Sequence, residues 1–142
     1  MSTDLTPPAP RGDYVPAVLH NGVAHTAGMT PRRGGELAFR GLVGADLSVE
    51  EGRRAAGLAA ANAVAAVRSV AGLDAAVRCL RMTVYIACTP GFQDLSGVAD
   101  GASATIRDLL GDAALPARSA IGVLALPSGA PVEVELTAAV LD

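Results

Sequence analysis

The sequence of 142 residues predicts an α+β domain: a mixed β-sheet with two helices packed on one face, in the element order βββαβαββ. Three observations lead there. Asn21 and Gly22 divide an apolar stretch in the way a two-residue type I′ turn divides a hairpin. Ser48 followed by Glu51 has the form of a capping box, and the chain beyond it is Ala-rich up to Gly72. Residues 77–88 and 132–141 alternate apolar and polar side chains with the period of two that belongs to strands.

Residues 1–11, rich in proline and polar groups, read as a flexible N-terminal arm, and residues 12–142 as a single domain. A domain of this size buries about 70% of the surface its unfolded chain exposes, enough for one core. The hairpin takes residues 15–20 and 23–27. After the breakers Gly28, Pro31, Gly34 and Gly35, residues 37–42 are expected to form a short third strand. The first helix runs from the Ser48 cap to Gly72, with Ala56, Ala60, Ala63, Val64, Val67 and Val70 on the side that meets the sheet. In residues 77–88, Leu80, Met82, Val84 and Ile86 share the apolar face, opposite Arg81, Thr83 and Tyr85. Residues 94–110 make the second helix, which Gly97 and Gly101 weaken. Strands at residues 120–126 and 132–141, joined by a turn at 127–131, close the domain. In the last, Val132, Val134, Leu136, Ala138 and Val140 point one way, Glu133, Glu135 and Thr137 the other. Much of the strand sequence is apolar on both sides, so a second subunit is expected over the sheet face that the helices leave bare.

Composition removes several classes of function. A net charge of -3, a pI near 5.3 and 3% aromatic residues supply neither a field for phosphates nor platforms for bases, so nucleic acid is not an expected partner. The hydrophobic fraction is 51%, but no apolar run approaches the roughly 18 residues of a membrane span. The start carries Asp4 and three prolines where a signal peptide has a basic end and an apolar stretch, and the expected location is cytoplasmic. Cys79 and Cys88, nine residues apart in one strand, read as reduced thiols on opposite faces. The chain has no P-loop, no dinucleotide-binding glycine pattern, no nucleophile elbow and no zinc-ligand spacing, so neither cofactor nor metal is expected.

The candidates for chemistry are few. Arg118, in the segment Leu115 to Ser119 at the entrance to a strand, has the planar fork that takes a carboxylate by two hydrogen bonds, or it makes a surface salt bridge. Glu133, with Glu135 on the same face, either orients water or belongs to a solvated strand face. Tyr14 is a pocket hydroxyl or a half-buried ring. His20 and His25 read as lying on opposite sides of the hairpin, without partner carboxylates.

Taken in order, GDYVPAV from Gly12, VAHTAG from Val23, VYIACTPGFQDL from Val84, LPARSAIGV from Leu115 and PVEVELTAAV from Pro131 resemble the RidA (YjgF-like) superfamily of reactive intermediate deaminases. The resemblance spans about Gly12 to Val140 and is most specific at its C-terminal end. It implies a fold like chorismate mutase of the bacillus type and a homotrimer with three intersubunit pockets. It also implies cofactor-free hydrolysis of imines and enamines of the 2-aminoacrylate type to 2-keto acids and ammonia. By that likeness Arg118 binds the carboxylate, Glu133 attends the water, Tyr14 is the pocket tyrosine and Gly28 the glycine after the second strand.

The same likeness marks departures. Ala27 stands where archetypal members have a serine, Ala120 where they have a cysteine, and their asparagine falls on Asp100 or Gly101. The chain therefore resembles a divergent branch. The leading expectation is hydrolysis of a small 2-imino acid. The alternatives are a non-catalytic module or chaperone-like trimer that binds a small carboxylate metabolite, and a biosynthetic enzyme with a larger substrate. The ribonuclease activity attached to some relatives fits least, since the chain shows no basic groove and no paired histidines.

Overall fold

The computed structural model describes residues 7–141 of the chain. The first two strands, β1 (Ala17–His20) and β2 (Val23–Thr26), are joined by Asn21 and Gly22, whose φ values of 50° and 75° make the type I′ turn that the dipeptide predicts. That turn pairs His20 with Val23 and Val18 with His25. Both histidines therefore lie on the same side of the hairpin, not on opposite sides.

The third strand expected at residues 37–42 does not form. Gly34 and Gly35, both at positive φ, instead close a minimal hairpin of β3 (Arg32–Arg33) and β4 (Glu36–Leu37), which stands apart from the main sheet. Beyond it single bonds pin the chain, Ala38 N–H to Pro31 O at 3.0 Å and Gly41 N–H to Gly129 O at 3.0 Å. Of the expected arm, residues 1–6 lie outside the described residues, and Arg11 donates to the Gly35 carbonyl.

Helix α1 (Val49–Ala71) opens on the predicted capping box: Ser48 Oγ accepts from Glu51 N–H, and Glu51 Oε1 accepts from Ser48 N–H, both at 3.1 Å. Its buried stripe is wider than a single sheet contact requires. Ala55 and Ala59 are buried as well as Ala56, Ala60 and Ala63, because α1 packs at once on the sheet and on α2 (Leu95–Leu110).

Strand β5 (Val77–Ala87) carries an irregularity that its alternation does not reveal: Cys79 pairs with Ala138 and Arg81 with Thr137, leaving Leu80 without a partner. Leu80 is thus exposed, and Cys79 takes the inward place in line with Met82, Val84 and Ile86. The shift also corrects the cysteines. Cys88 packs beside Gly122 and Leu95, so both thiols lie on the helix side. Nine residues of strand separate them by roughly 30 Å, and both are free. Burial pushes the Cys79 thiol up to about 11.

Strand β6 (Ala117–Val123) begins three residues before the expected start and ends three before the expected end. Its boundaries come from its parallel neighbour: Arg81–Ala87 of β5 sets the register opposite Ala117–Val123, and β5 stops short of Pro90. Leu124, with no strand beside it, is 93% exposed. The last strand, β7 (Val132–Val140), alternates as predicted, with Val132, Val134, Leu136 and Ala138 buried.

Five strands form one mixed sheet in the order β1-β2-β7-β5-β6, antiparallel except for β5 with β6. Both helices cover one face, as expected for the α+β class. Among the described residues no helix covers the other face, the bare face, which is chemically mixed: Val18 and Ile121 stand on it beside Thr137, Glu133 and Glu135. None of the described helices is long and apolar enough to cross a membrane.

Gly101 determines how closely the helices cross. A methyl group there would run into the backbone carbonyl of Arg53 on α1. Gly101→Ala is expected to cost about 1–3 kcal/mol, the usual penalty of overpacking. Urea unfolding of the two proteins measures it; an unchanged midpoint would show that α2 can move away freely.

Candidate active site

Because β6 starts at Ala117, Arg118 is a strand residue and not a loop residue. It pairs with Met82, which is fully buried beneath the helices, so the Arg118 side chain rises on the helix side at the open edge of the sheet. There it meets α2. Arg118 Nη1 donates to Asp100 Oδ1 at 2.8 Å and to Ser103 Oγ at 2.9 Å, and Nη2 donates to Ser96 Oγ at 2.8 Å. Residues 96, 100 and 103 follow one another at helical steps of four and three and therefore form a single stripe. Ser96 and Ser103 escaped the sequence reading; their spacing from Asp100 was the only signal.

A guanidinium has five N–H donors, of which these contacts use three. Nε–H and one Nη2–H are left, enough for a carboxylate held by two bonds. Asp100 balances the charge of Arg118 without filling its fork, and at 56% side-chain exposure it does so in contact with solvent. Asp100 faces the arginine, and Gly101 faces α1. Ala120, two residues along β6, shares the Arg118 face and is half-buried.

Glu133 belongs to a second cluster. It pairs with Tyr85 on the bare face of the sheet, where Tyr85 Oη donates to Glu135 Oε1 at 2.8 Å. Tyr85 was not singled out from the sequence. Gly28 lies against the Glu133 carboxylate, and any side chain at that position would displace it. A bulge brings them together: His25 opposes Thr137 and Met29 opposes Val134, so β2 and its continuation carry one residue more than β7. Ala27 sits in that bulge, its N–H bonded to Pro16 O at 2.8 Å. Burial, and then the neighbouring Glu135 carboxylate, raise the pKa of Glu133 above the ordinary glutamate value.

Two groups thus form, Arg118 with Asp100 near Ala120, and Glu133 with Gly28 near Ala27. They lie on opposite faces of the sheet with β5 between them. Tyr14 is farther still. It is 49% exposed just ahead of β1, while Arg118 is on β6, at the other edge of five strands and roughly 19 Å away by strand spacing. Arg118 lines neither of two cavities formed by the described residues. The larger lies outside the helix pair; the smaller, on the bare face, is bounded by His25, Arg81 and Glu135. A small molecule in one chain cannot touch Arg118, Glu133 and Tyr14 together.

The raised pKa of Glu133 has a consequence for stability. Its folded-state value exceeds its unfolded one, so ionisation costs the native state free energy that appears as pH rises above about 4.3 and is absent below it. Glu133→Gln is expected to be more stable than the parent at neutral pH and indistinguishable from it near pH 3. Urea unfolding at the two pH values tests this, and equal stabilities at neutral pH would contradict it.

A family model described as Endoribonuclease L-PSP matches residues 5–140. Protein TCP17 of Trypanosoma cruzi is 36% identical over 129 residues, covering 89% of this chain and 81% of that protein. The crystal structure of Atu1372 from Agrobacterium tumefaciens superposes with a TM-score of 0.88 at 32% identity, over 94% of this chain and 86% of the other. YyfA of the Rid protein family, from Yersinia pestis, gives a TM-score of 0.66 at 25% identity, over 96% and 95%. The chain therefore belongs to the Endoribonuclease L-PSP family, the superfamily of the YjgF and Rid proteins.

Proposed function

We propose that the protein hydrolyses small 2-imino acids and their enamine tautomers to 2-keto acids and ammonia, without a cofactor, in pockets between the subunits of a homotrimer. The observation that carries this reading is the half-used fork of Arg118, fixed by Ser96, Asp100 and Ser103 and open through Nε–H and Nη2–H. A 2-imino acid offers that fork a carboxylate one bond from the electrophilic carbon.

The second support is the separation of the two clusters. Arg118 stands at a free sheet edge and Glu133 on the bare face, so a head-to-tail ring can bring one chain's edge to another chain's face. In that arrangement Glu133, its pKa raised, is a better proton acceptor for water than an ordinary glutamate. An enamine first takes a proton on carbon and becomes the imine. Water then adds to the imine carbon, passing one proton through Glu133 to the nitrogen; as the C–N bond of the carbinolamine breaks and the carbonyl forms, the hydroxyl proton goes to the departing nitrogen, which leaves as ammonia. The free imine already hydrolyses in water, so positioning and one proton acceptor supply what is needed. A larger or more apolar imino acid is the second reading, favoured by Ala27 and Ala120, which contribute no polar group beside either cluster.

A panel of imino acids made in situ by an amino-acid oxidase, with small and large side chains, tests both readings through the rate of keto-acid release. Arg118→Ala is expected to lose about a hundredfold in kcat/KM, from roughly 3 kcal/mol for a carboxylate held by two charged bonds. A parent protein that accelerates none of the imines, or an Arg118→Ala variant as active as the parent, would overturn the proposal. Activity confined to bulky imines would select the second reading.

A further inference from the structure

A cavity of about 770 Å³ runs along the outer side of α1, bounded on one side by α2 and on the other by the β3–β4 hairpin and Pro7. It is separate from the Arg118 cluster. Among the described residues, five of the chain's eleven basic side chains line it, Arg32, Arg33, Arg53, Arg54 and Arg68, against a single acid, Glu50. The chain as a whole is acidic, so this excess is local. Glu50 reaches only Arg53, at 3.9 Å, and among the described residues no carboxylate forms an ion pair with the other four.

Arg32 is the informative member. It is 8% exposed, and its side chain makes one hydrogen bond, Nη1 to Gly35 O at 2.9 Å. Asn62 secures the backbone around it, donating to the Thr30 and Arg32 carbonyls at 3.0 Å each. Burial, and then the nearby Arg11 and Arg40, lower its pKa from the ordinary arginine value. A partly desolvated guanidinium with no ion-pair partner among the described residues is costly, and an anion relieves the cost. The floor is apolar, formed by Leu58, Ala61, Ala65 and Leu109, and no aromatic side chain lines the cavity to stack a base.

We propose that this groove is a second binding site, for an organic phosphate whose charged head sits among Arg32, Arg33 and Arg54 and whose short aliphatic body lies on Leu58 and Leu109. A phosphate has enough acceptor oxygens to satisfy several guanidiniums at once, and the cavity has the volume of a small-molecule site.

Calorimetric titration of the full-length protein with octyl phosphate below its micelle concentration tests the assignment, with octanol and inorganic phosphate as separate tail and head. Saturable binding of octyl phosphate is expected, tighter than that of either part and weakened by salt. The exposed pair Arg33→Gln and Arg54→Gln is expected to weaken it at least about tenfold, the value of one charge-assisted hydrogen bond. Arg118→Ala is expected to retain it. Absence of saturable binding, equal affinity for inorganic phosphate, or loss of binding in Arg118→Ala but not in the paired variant would each overturn the proposal. So would a groove that ignores octyl phosphate but takes up a single-stranded oligoribonucleotide.

Discussion

The approach of Gly101 to the backbone of Arg53 sets where α2 lies, and the placement of Arg118 follows from it. Small residues on both helices, Ala55, Ala56, Ala59 and Gly57 on one and Gly101 and Ala102 on the other, bring the two axes close over the sheet. With α2 held there, Ser96, Asp100 and Ser103 project toward the edge strand and fix a guanidinium that would otherwise sample many rotamers. The ordering exists within the single chain, and it would lower the entropy cost of holding an anion there.

The sheet imposes the second constraint. Side chains alternate across a strand, so a helix-side Arg118 and a bare-side Glu133 cannot serve one small molecule in one chain, however tightly each is positioned. The bulge at Ala27 and Gly28 and the contact of Gly28 with Glu133 prepare the bare face, and the stripe on α2 prepares the edge. In the proposed ring the two halves meet without further parts.

Local chemistry was legible in the sequence wherever the cause was local. Asn21 and Gly22 make their turn, Ser48 and Glu51 make their cap, and the alternation in β7 puts Val132 to Ala138 inward, because neighbours in the chain decide these. What escaped was set by partners distant in sequence. The span of β6 follows from the end of β5; the outward turn of Leu80 and the inward turn of Cys79 come from an irregularity against β7; and residues 38–42 fail as a strand because no sheet edge receives them. For the site, Arg118 and Glu133 could be named as candidates, but their surroundings could not. Ser96, Ser103 and Tyr85 are ordinary polar residues until the fold places them, and the excess of arginines in the outer cavity is invisible in a net charge of -3.

Under the proposed function, Arg118 anchors a small carboxylate in a pocket completed by another copy of the chain. A crystal structure with bound pyruvate tests it most directly. The account predicts a carboxylate on Arg118 Nε and Nη2, with Asp100, Ser96 and Ser103 still in place, and Glu133 of the partner subunit within about 3 Å of the keto oxygen or of a water beside it. Pyruvate seated away from Arg118, or enclosed by groups of a single chain, would contradict it.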